Sequence, residues 1–379
     1  MNNILVNTKF DGGSIVVVDI KNPKKLQFKI RNDTNSHFAQ WFYFQLSNVK
    51  DQNLNISFLE LANTAYPEGW KNYSVCASYD NEYWFRIPTQ FDGNTLRFSI
   101  SPEHNSIYFA YFEPYSYERH LQLIGTANSS EICSHEILGQ TYEGRNIDLL
   151  VVGSPNNKFK IWFTARQHPG ETMAEWFMEG LISRLLDDKD STSKSLLKNC
   201  VFYMVPNMNP DGAYNGNLRT NSVGTNLNRE WLNPSLEKSP EVYYVRNKMQ
   251  QTSVDMSFDI HGDEAIPYVF LSRCIDSPTV SSKQQQLAAL FTESLLMANP
   301  DFQTQHGYEL GHFNSEASTL ATSWIGDNFD CLAYTLEMPF KDNDNLRDEV
   351  HGWSGYRSYL FGHTFLSAIY STMFKMKGK

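Results

Sequence analysis

The sequence predicts an α/β chain in which an all-β sandwich domain precedes an α/β/α domain built on a mixed, mainly parallel twisted sheet. Three observations carry that prediction. The first third consists of short alternating runs broken by turn residues, the remainder alternates strands with long amphipathic segments, and 379 residues exceed one ordinary core. The expected units are residues 1–122 and 123–379.

From Ile4 to about Ile124 the runs are "SIVVVDI", "LQFKI", "WFYFQLS", "NISFLEL", "YWFRIP", "LRFSI" and "IYFAYFEPY". Apolar and polar residues alternate in them because successive strand side chains point to opposite faces. Asn, Asp, Gly and Pro between them supply turns, and no stretch there has a helical period. Seven such runs argue for a sandwich. After Tyr117 the pattern becomes "NIDLLVVG", "FKIWFTA", a helix from Glu171 to Leu186, "CVFYMVP", a helix from Pro240 to Gln251, "DMSFDIHG" and "YVFLSR". A helix from Ser281 to Met297, the strand "CLAYTLEM" and a terminal helix from about Ser354 to Phe374 follow. Strand–helix alternation of this kind places helices on both faces of a parallel sheet, with binding sites beyond the carboxyl ends of its strands. Two biased tracts, Asp187 to Ser195 and Gln284 to Gln286, read as solvated surface.

Composition narrows the class. Hydrophobic residues at 41% and aromatics at 14% suit a packed chain rather than a disordered one. A formal charge of −10 without any Lys/Arg cluster works against nucleic acid as a partner. The opening "MNNILVNTKFDGGSIVVVDI" lacks a basic start with a long apolar core, and no run reaches the ~18 apolar residues that span a bilayer. A soluble, unexported, cytoplasmic protein without a membrane partner is expected, its oligomeric state unspecified. Cys76, Cys133, Cys200, Cys274 and Cys331 form no CxxC pair and read as reduced, buried small hydrophobes.

The H-x-x-E spacing occurs three times, at His168/Glu171, His261/Glu264 and His306/Glu309, so the pattern alone decides nothing. Context separates them. His168 follows "FKIWFTA" directly, and Pro169-Gly170 makes a tight turn that returns Glu171 to the imidazole at the mouth of a helix. His261 ends "DMSFDI" in the same way, so both histidines belong to one sheet edge, and Gly262 leaves room for close approach. His306/Glu309 lies in a loop-like stretch and reads as structural. Zinc hydrolases use three nitrogen or oxygen ligands and leave a fourth position open, which His168, Glu171 and His261 would satisfy. The alternative is ordinary strand-end histidines beside a Glu that complements a helix dipole, and Glu264 competes as a ligand.

Three further features lie near the same edge. The segment Val205 to Trp231 is a long Asn- and Gly-rich loop holding Arg219, Asn228 and Arg229, a set able to grip a carboxylate through fork-shaped hydrogen bonds. Glu337 sits in the otherwise apolar "CLAYTLEMPF", where an unpaired carboxylate costs several kcal/mol; a metal or its water would compensate it and make it a general base, the alternative being a Glu that faces solvent or pairs with a structural Arg. Finally, the chain has no phosphate-binding G-x-x-x-x-G-K-[ST], no G-x-S-x-G and no H-E-x-x-H, which leaves metal-assisted hydrolysis.

In order, "HPGE" before a helix, "NPDG", "NGNLR", "GTNLNR", "DIHG" and "YTLEM" resemble the zinc carboxypeptidases of the M14 class. "WFYFQLSN" and "FAYFEPYSYERH" in the leading domain resemble the cytosolic carboxypeptidase subfamily. The resemblance implies one Zn2+ per chain on His168, Glu171 and His261, and Glu337 as general base and acid. It further implies Arg219 as stabiliser of the oxyanion, and Asn228 with Arg229 as the grip on the C-terminal carboxylate of a peptide or protein substrate. Asn226 stands where many members have an acidic residue that orients a zinc histidine, and no counterpart of their substrate-capping Tyr is evident. Cytosolic members that remove glutamates are expected to carry a basic pocket. Here Asp263 and Glu264 follow His261, and Arg273 is the one basic candidate further on. A zinc amidohydrolase acting on N-acyl amino acids or cell-wall peptides, and a non-catalytic peptide binder, are the competing expectations.

Overall fold

The computed structural model describes residues 3–272, 280–309 and 312–377. The first domain contributes β1 (Leu5–Asn7), β2 (Val16–Asp19), β3 (Leu26–Lys29), β4 (Tyr43–Ser47), β5 (Leu54–Leu59), β6 (Val75–Ser78), β7 (Trp84–Ile87), β8 (Gln90–Phe91), β9 (Leu96–Ile100) and β10 (Ser106–Ala110). These form two five-stranded sheets, ordered β1-β4-β10-β6-β7 and β2-β3-β5-β9-β8. Alternation buries Phe44 and Leu46 of β4 and Ile56 and Phe58 of β5 between them, with Phe42 and Phe58 ring centroids 4.7 Å apart. Each of the seven expected runs holds a strand. The additional β6 is buried at all four positions, so it shows no alternation, and β1 and β8 are very short.

The sequence pattern hides the helix at the domain boundary, α1 (Tyr117–Asn128), in which residue 122 falls. Its buried face is His120, Leu123, Ile124 and Ala127, a helical spacing disguised by a buried histidine. The remaining elements are β11 (Cys133–Gln140), β12 (Asn146–Val152), β13 (Phe159–Ala165), α2 (Met173–Leu185), α3 (Ser191–Leu196), β14 (Cys200–Val205), α4 (Pro210–Tyr214) and α5 (Pro240–Thr252). They continue with β15 (Met256–Asp263), β16 (Phe270–Ser272), α6 (Ser282–Ala298), α7 (Ala321–Phe329), β17 (Leu332–Pro339) and α8 (Gly355–Lys377). The supposedly solvated tract at 187–195 leads into α3, which buries Ser193 and Leu196, and Gln284 is buried within the capping box that starts α6.

The sheet order is β11-β12-β14-β13-β15-β17-β16, with β14, β13, β15 and β17 parallel and the outer pairings antiparallel. Because side chains alternate along β13, Ile161 and Phe163 pack with Phe177 of α2, Phe291 of α6 and Phe365 of α8, while Trp162 packs with α5 and α7 on the other face. The four parallel strands therefore end at one edge, open for chemistry.

The sandwich is fastened to that edge. Arg86 of β7 donates to the carbonyls of Phe340 (2.9 Å), His351 (3.1 Å) and Trp353 (3.0 Å), just beyond β17, and Tyr111 stacks on Phe340 at 4.7 Å. Among the described residues no helix is long and apolar enough to cross a membrane, and the four described cysteines form no disulfide.

Candidate metal centre and catalytic site

β13 stops at Ala165, and the next residue, Arg166, adopts φ 58°, a left-handed conformation that costs a long side chain energy. Its buried guanidinium compensates by donating to Pro169 O (2.9 Å), Tyr115 O (2.9 Å) and Glu175 Oε2 (2.6 Å). The turn that carries His168 and Glu171 is thus closed from beneath. Glu175 is itself held by Asn207 Nδ2 (3.0 Å) and His120 Nδ1 (2.6 Å), so the brace is a buried, fully bonded network. Gly170 donates to Leu218 O at 2.8 Å, and a Cβ on it would stand 3.0 Å from Leu218 Cα, which explains the glycine.

His261 lies two residues before the end of β15, beside this turn. His168 Nδ1 lies 2.7 Å from Glu171 Oε1, His261 Nδ1 lies 2.7 Å from Glu171 Oε2, and the two Nδ1 atoms are 3.2 Å apart. All three side chains are buried, and one ligand atom from each falls within 4.8 Å of the others. A Cβ on Gly262 would collide with Met173 Sδ at the start of α2, so the glycine permits this approach. The far ring nitrogens are occupied: His261 Nε2 is 2.7 Å from Asp259 Oδ2, and His168 Nε2 is 3.1 Å from Asn226 Oδ1. Both acceptors require a proton on Nε2, which leaves the Nδ1 lone pairs free to coordinate. Asp259 also accepts from Thr164 Oγ1 (2.8 Å) and Gln167 Nε2 (2.6 Å), so its charge is fully engaged.

Electrostatics agree with a cation at this point. Burial, with Arg219 adding to it, holds His168 down to about 4, so its imidazole is neutral at pH 7. Burial opposes charge on Glu171, yet His168 and His261 outweigh it and hold the carboxyl well below its usual range. His261 is driven well above the ordinary histidine range: burial disfavours its charge, but Asp259 and Glu171 overcome that. The proton so drawn to Nδ1 and a metal compete for one lone pair, so metal binding releases it. Two imidazoles and a carboxylate fit the donor set of zinc.

Glu337 of β17 stands opposite His261 in register, with Phe270 of β16 across its other side. Its Oε1 accepts from Tyr308 at 3.1 Å, its Oε2 has no partner among the described residues, and it is 6% exposed. Burial pushes its carboxyl well above the usual range; His261 opposes this, while Glu171 and Asp263 reinforce it. Tyr308, not singled out from sequence, also lies 2.8 Å from Asp263 Oδ2, so its single hydroxyl proton is shared between the two carboxyl groups.

The long loop delivers the remaining candidates unevenly. The Arg219 guanidinium lies 5.6 Å from the Phe38 ring and 5.4 Å from the Tyr66 ring, both from the sandwich domain. Asn228 points inward: its Oδ1 accepts from Ala321 N at 2.9 Å, and its Nδ2 is 3.5 Å from His261 Nε2. Arg229 is already engaged, with Nε on Glu316 at 2.6 Å and Nη1 on Asn228 O at 2.9 Å. Glu264 is buried but outside the trio, and His306 stacks on Tyr268 at 4.1 Å, away from any such cluster among the described residues. Arg273 lies outside the described residues.

Asp259, Arg166, Glu175 and Asp33 were missed by sequence reasoning. A carboxylate two residues before His261 on the same strand shares its face, so Asp259 had a readable signal. Asp33 had none.

Comparison with known proteins gives the family. Residues 6–112 match a family model described as the cytosolic carboxypeptidase N-terminal domain, and residues 117–349 match the model described as zinc carboxypeptidase. A metallo-carboxypeptidase crystal structure from Burkholderia cenocepacia is 46% identical with TM-score 0.96, over 98% of this chain and 100% of that one. A metallo-carboxypeptidase from Pseudomonas aeruginosa, solved with (2-guanidinoethylmercapto)succinic acid, is 42% identical with TM-score 0.95, over 98% of this chain and 100% of that one. Cytosolic carboxypeptidase 6 of Caenorhabditis elegans is 27% identical over 407 residues, covering 97% of this chain and 86% of that protein. The α/β/α domain and the sandwich before it are shared with these relatives, and the chain belongs to the zinc carboxypeptidase family, as a metallocarboxypeptidase with a cytosolic carboxypeptidase N-terminal domain.

Proposed function

We propose that His168, Glu171 and His261 hold one zinc ion per chain, and that Glu337 is the base and acid for hydrolysis of the C-terminal peptide bond of peptide substrates. The observation that carries this reading is the convergence of two Nδ1 atoms and one carboxylate, with Glu337 in register beside His261. Zinc in such a site supplies Lewis-acid polarisation of a carbonyl and makes water more acidic. The remaining steps belong to the protein. Glu337, whose Oε2 has no partner among the described residues and whose proton affinity is raised, accepts a proton from the attacking water and returns it to the leaving amine. Tyr308 holds Oε1, so the carboxylate is oriented before the proton moves. Arg219 stabilises the oxyanion of the tetrahedral species.

Asn228 and Arg229 receive the terminal carboxylate, for which Glu316 is exchanged as the partner of Arg229. That exchange is inexpensive, because the pair is open to water and Glu316 is 61% exposed. The same clamp accounts for trimming from the end, since an internal peptide bond offers no carboxylate to it. A cytoplasmic location follows from the reduced thiols read in the sequence and is part of the proposal. The test is a panel of blocked dipeptides, their C-terminally amidated forms and N-acyl amino acids. Cleavage of the first, abolished by amidation, is expected. Equal cleavage of amidated peptides would remove the clamp, and preference for N-acyl amino acids would favour a deacylase.

A further inference from the structure

The sandwich domain reaches into the site through one turn, residues 33–38, closed by Asp33 N donating to Phe38 O at 2.7 Å. Asp33 is 5% exposed, and its carboxylate receives three consecutive backbone N–H groups of the other domain: Leu218 at 2.6 Å, Arg219 at 2.8 Å and Thr220 at 2.9 Å. Thr220 Oγ1 adds a fourth bond at 3.1 Å. A buried carboxylate that accepts this many amides fixes the backbone it binds, because each N–H left without an acceptor costs about 1–3 kcal/mol. The next residues extend the grip. Thr34 N donates to Asn217 Oδ1 at 2.9 Å, Asn35 Nδ2 donates to Ser222 O at 3.0 Å, and Gly224, at φ +87°, lies where any Cβ would strike Asn35 O.

The clamp continues to the metal turn. Leu218 gives its N–H to Asp33 and its carbonyl to Gly170 N at 2.8 Å, so one residue joins the sandwich to the turn between His168 and Glu171. The same turn ends on Phe38, whose ring centroid lies 5.6 Å from the Arg219 guanidinium, with that of Tyr66 at 5.4 Å. Backbone and side chain of Arg219 are therefore both set by the first domain.

We propose that Asp33 is a positioning residue for Arg219, so that the sandwich domain completes the oxyanion-stabilising part of the active site rather than merely lying beside it. This rests on the assignment of Arg219 made above. Asp33 touches no reacting atom; it acts by holding the arginine where charge develops in the transition state, and a displacement of about 1 Å there costs on the order of 10²-fold in rate.

The experiment is a double-mutant cycle in the full-length, zinc-loaded chain, with Asp33→Asn, Arg219→Ala and both together, measuring kcat, KM, zinc content and thermal midpoint. Asn keeps the shape and one acceptor oxygen. The expected result is a kcat loss of about tenfold or more for Asp33→Asn, with KM within about twofold and zinc retained, and no further loss when Asp33→Asn is added to Arg219→Ala. A loss as large in the Arg219→Ala background as in the wild type overturns the proposal and leaves Arg219 in its role. If Arg219→Ala alone keeps wild-type kcat, the assignment of Arg219 falls and the proposal falls with it. Should Asp33→Asn fail to fold, Phe38→Leu, which keeps the turn and removes the ring, replaces it in the cycle: the same non-additivity supports the clamp and additivity refutes it.

Discussion

Glu337→Gln is the most informative single substitution. Gln is nearly isosteric and keeps an acceptor oxygen, so the contact with Tyr308 and the strand register opposite Phe270 persist. What disappears is the proton acceptor. General acid–base groups contribute about 10²–10⁴-fold, so turnover is expected to fall by that factor, or about 3–5 kcal/mol of transition-state stabilisation at 1.36 kcal/mol per decade. The fold is not expected to suffer. Burial already disfavours charge on this carboxyl, and a neutral amide removes that opposition. Zinc content is likewise expected to stay at wild type, since Glu337 is not among the three convergent ligand atoms. The assay pairs single-turnover and steady-state kinetics on a blocked dipeptide with elemental analysis of the same sample. Near-wild-type turnover in zinc-replete protein would refute the assignment of the base.

Asp259→Ala strips His261 Nε2, Thr164 and Gln167 of their common acceptor, and zinc affinity measured by chelator competition is expected to fall about 10–100-fold; unchanged affinity would deny Asp259 its orienting role. Glu316→Gln frees Arg229 from an exposed pair worth less than about 1 kcal/mol, so KM for a peptide should drop by up to about fivefold while Arg229→Ala raises it, and a KM indifferent to both would remove the clamp. His120, between Glu175 and Asp148, is raised to about 9: burial opposes its charge and Glu175 and Asp148 outweigh it. A folded value above the unfolded 6.5 means stabilisation that is complete below about pH 6.5 and is lost as pH rises through 9. Urea midpoints should therefore fall across pH 6.5 to 9 in the wild type and lose that component in His120→Gln; identical profiles would contradict it. Glu241 is raised to about 8 by burial, so from pH 4.5 to 8 the unfolded carboxyl ionises while the folded one stays protonated and stability falls, and Glu241→Gln should gain stability at pH 8 but not at pH 4.

Most of the architecture was legible because pattern and packing coincide. Strands such as Phe159–Ala165 and Cys200–Val205 are continuous apolar runs bounded by turns, as strands covered on both faces must be. Helix α1 escaped notice because His120 interrupts its apolar face, and β6 because all four of its residues are buried. The convergence of His168, Glu171 and His261 was readable from position along the strands: a residue at or just past the end of a parallel strand must sit at the sheet's carboxyl edge, and two such residues on adjacent strands must be neighbours. His168 follows β13, and His261 lies near the carboxyl end of the adjacent strand β15. What holds those residues was not readable. Asp33 precedes Arg219 by nearly two hundred positions and meets it through backbone amides, which carry no side-chain signature. Tyr308 reaches Glu337 from a loop, and the engagement of Arg229 by Glu316 depends on how a later segment folds over it.

The central claim is that three side chains from two strand ends share one metal ion, and zinc K-edge X-ray absorption on protein loaded to measured stoichiometry tests it most directly. The account predicts one zinc per chain with imidazole nitrogens at about 2.0–2.1 Å and carboxylate oxygen at about 2.0–2.2 Å, lost when His168 and His261 are both changed to Ala. Sulfur at about 2.3 Å, or the same spectrum and stoichiometry in that double variant, would contradict it.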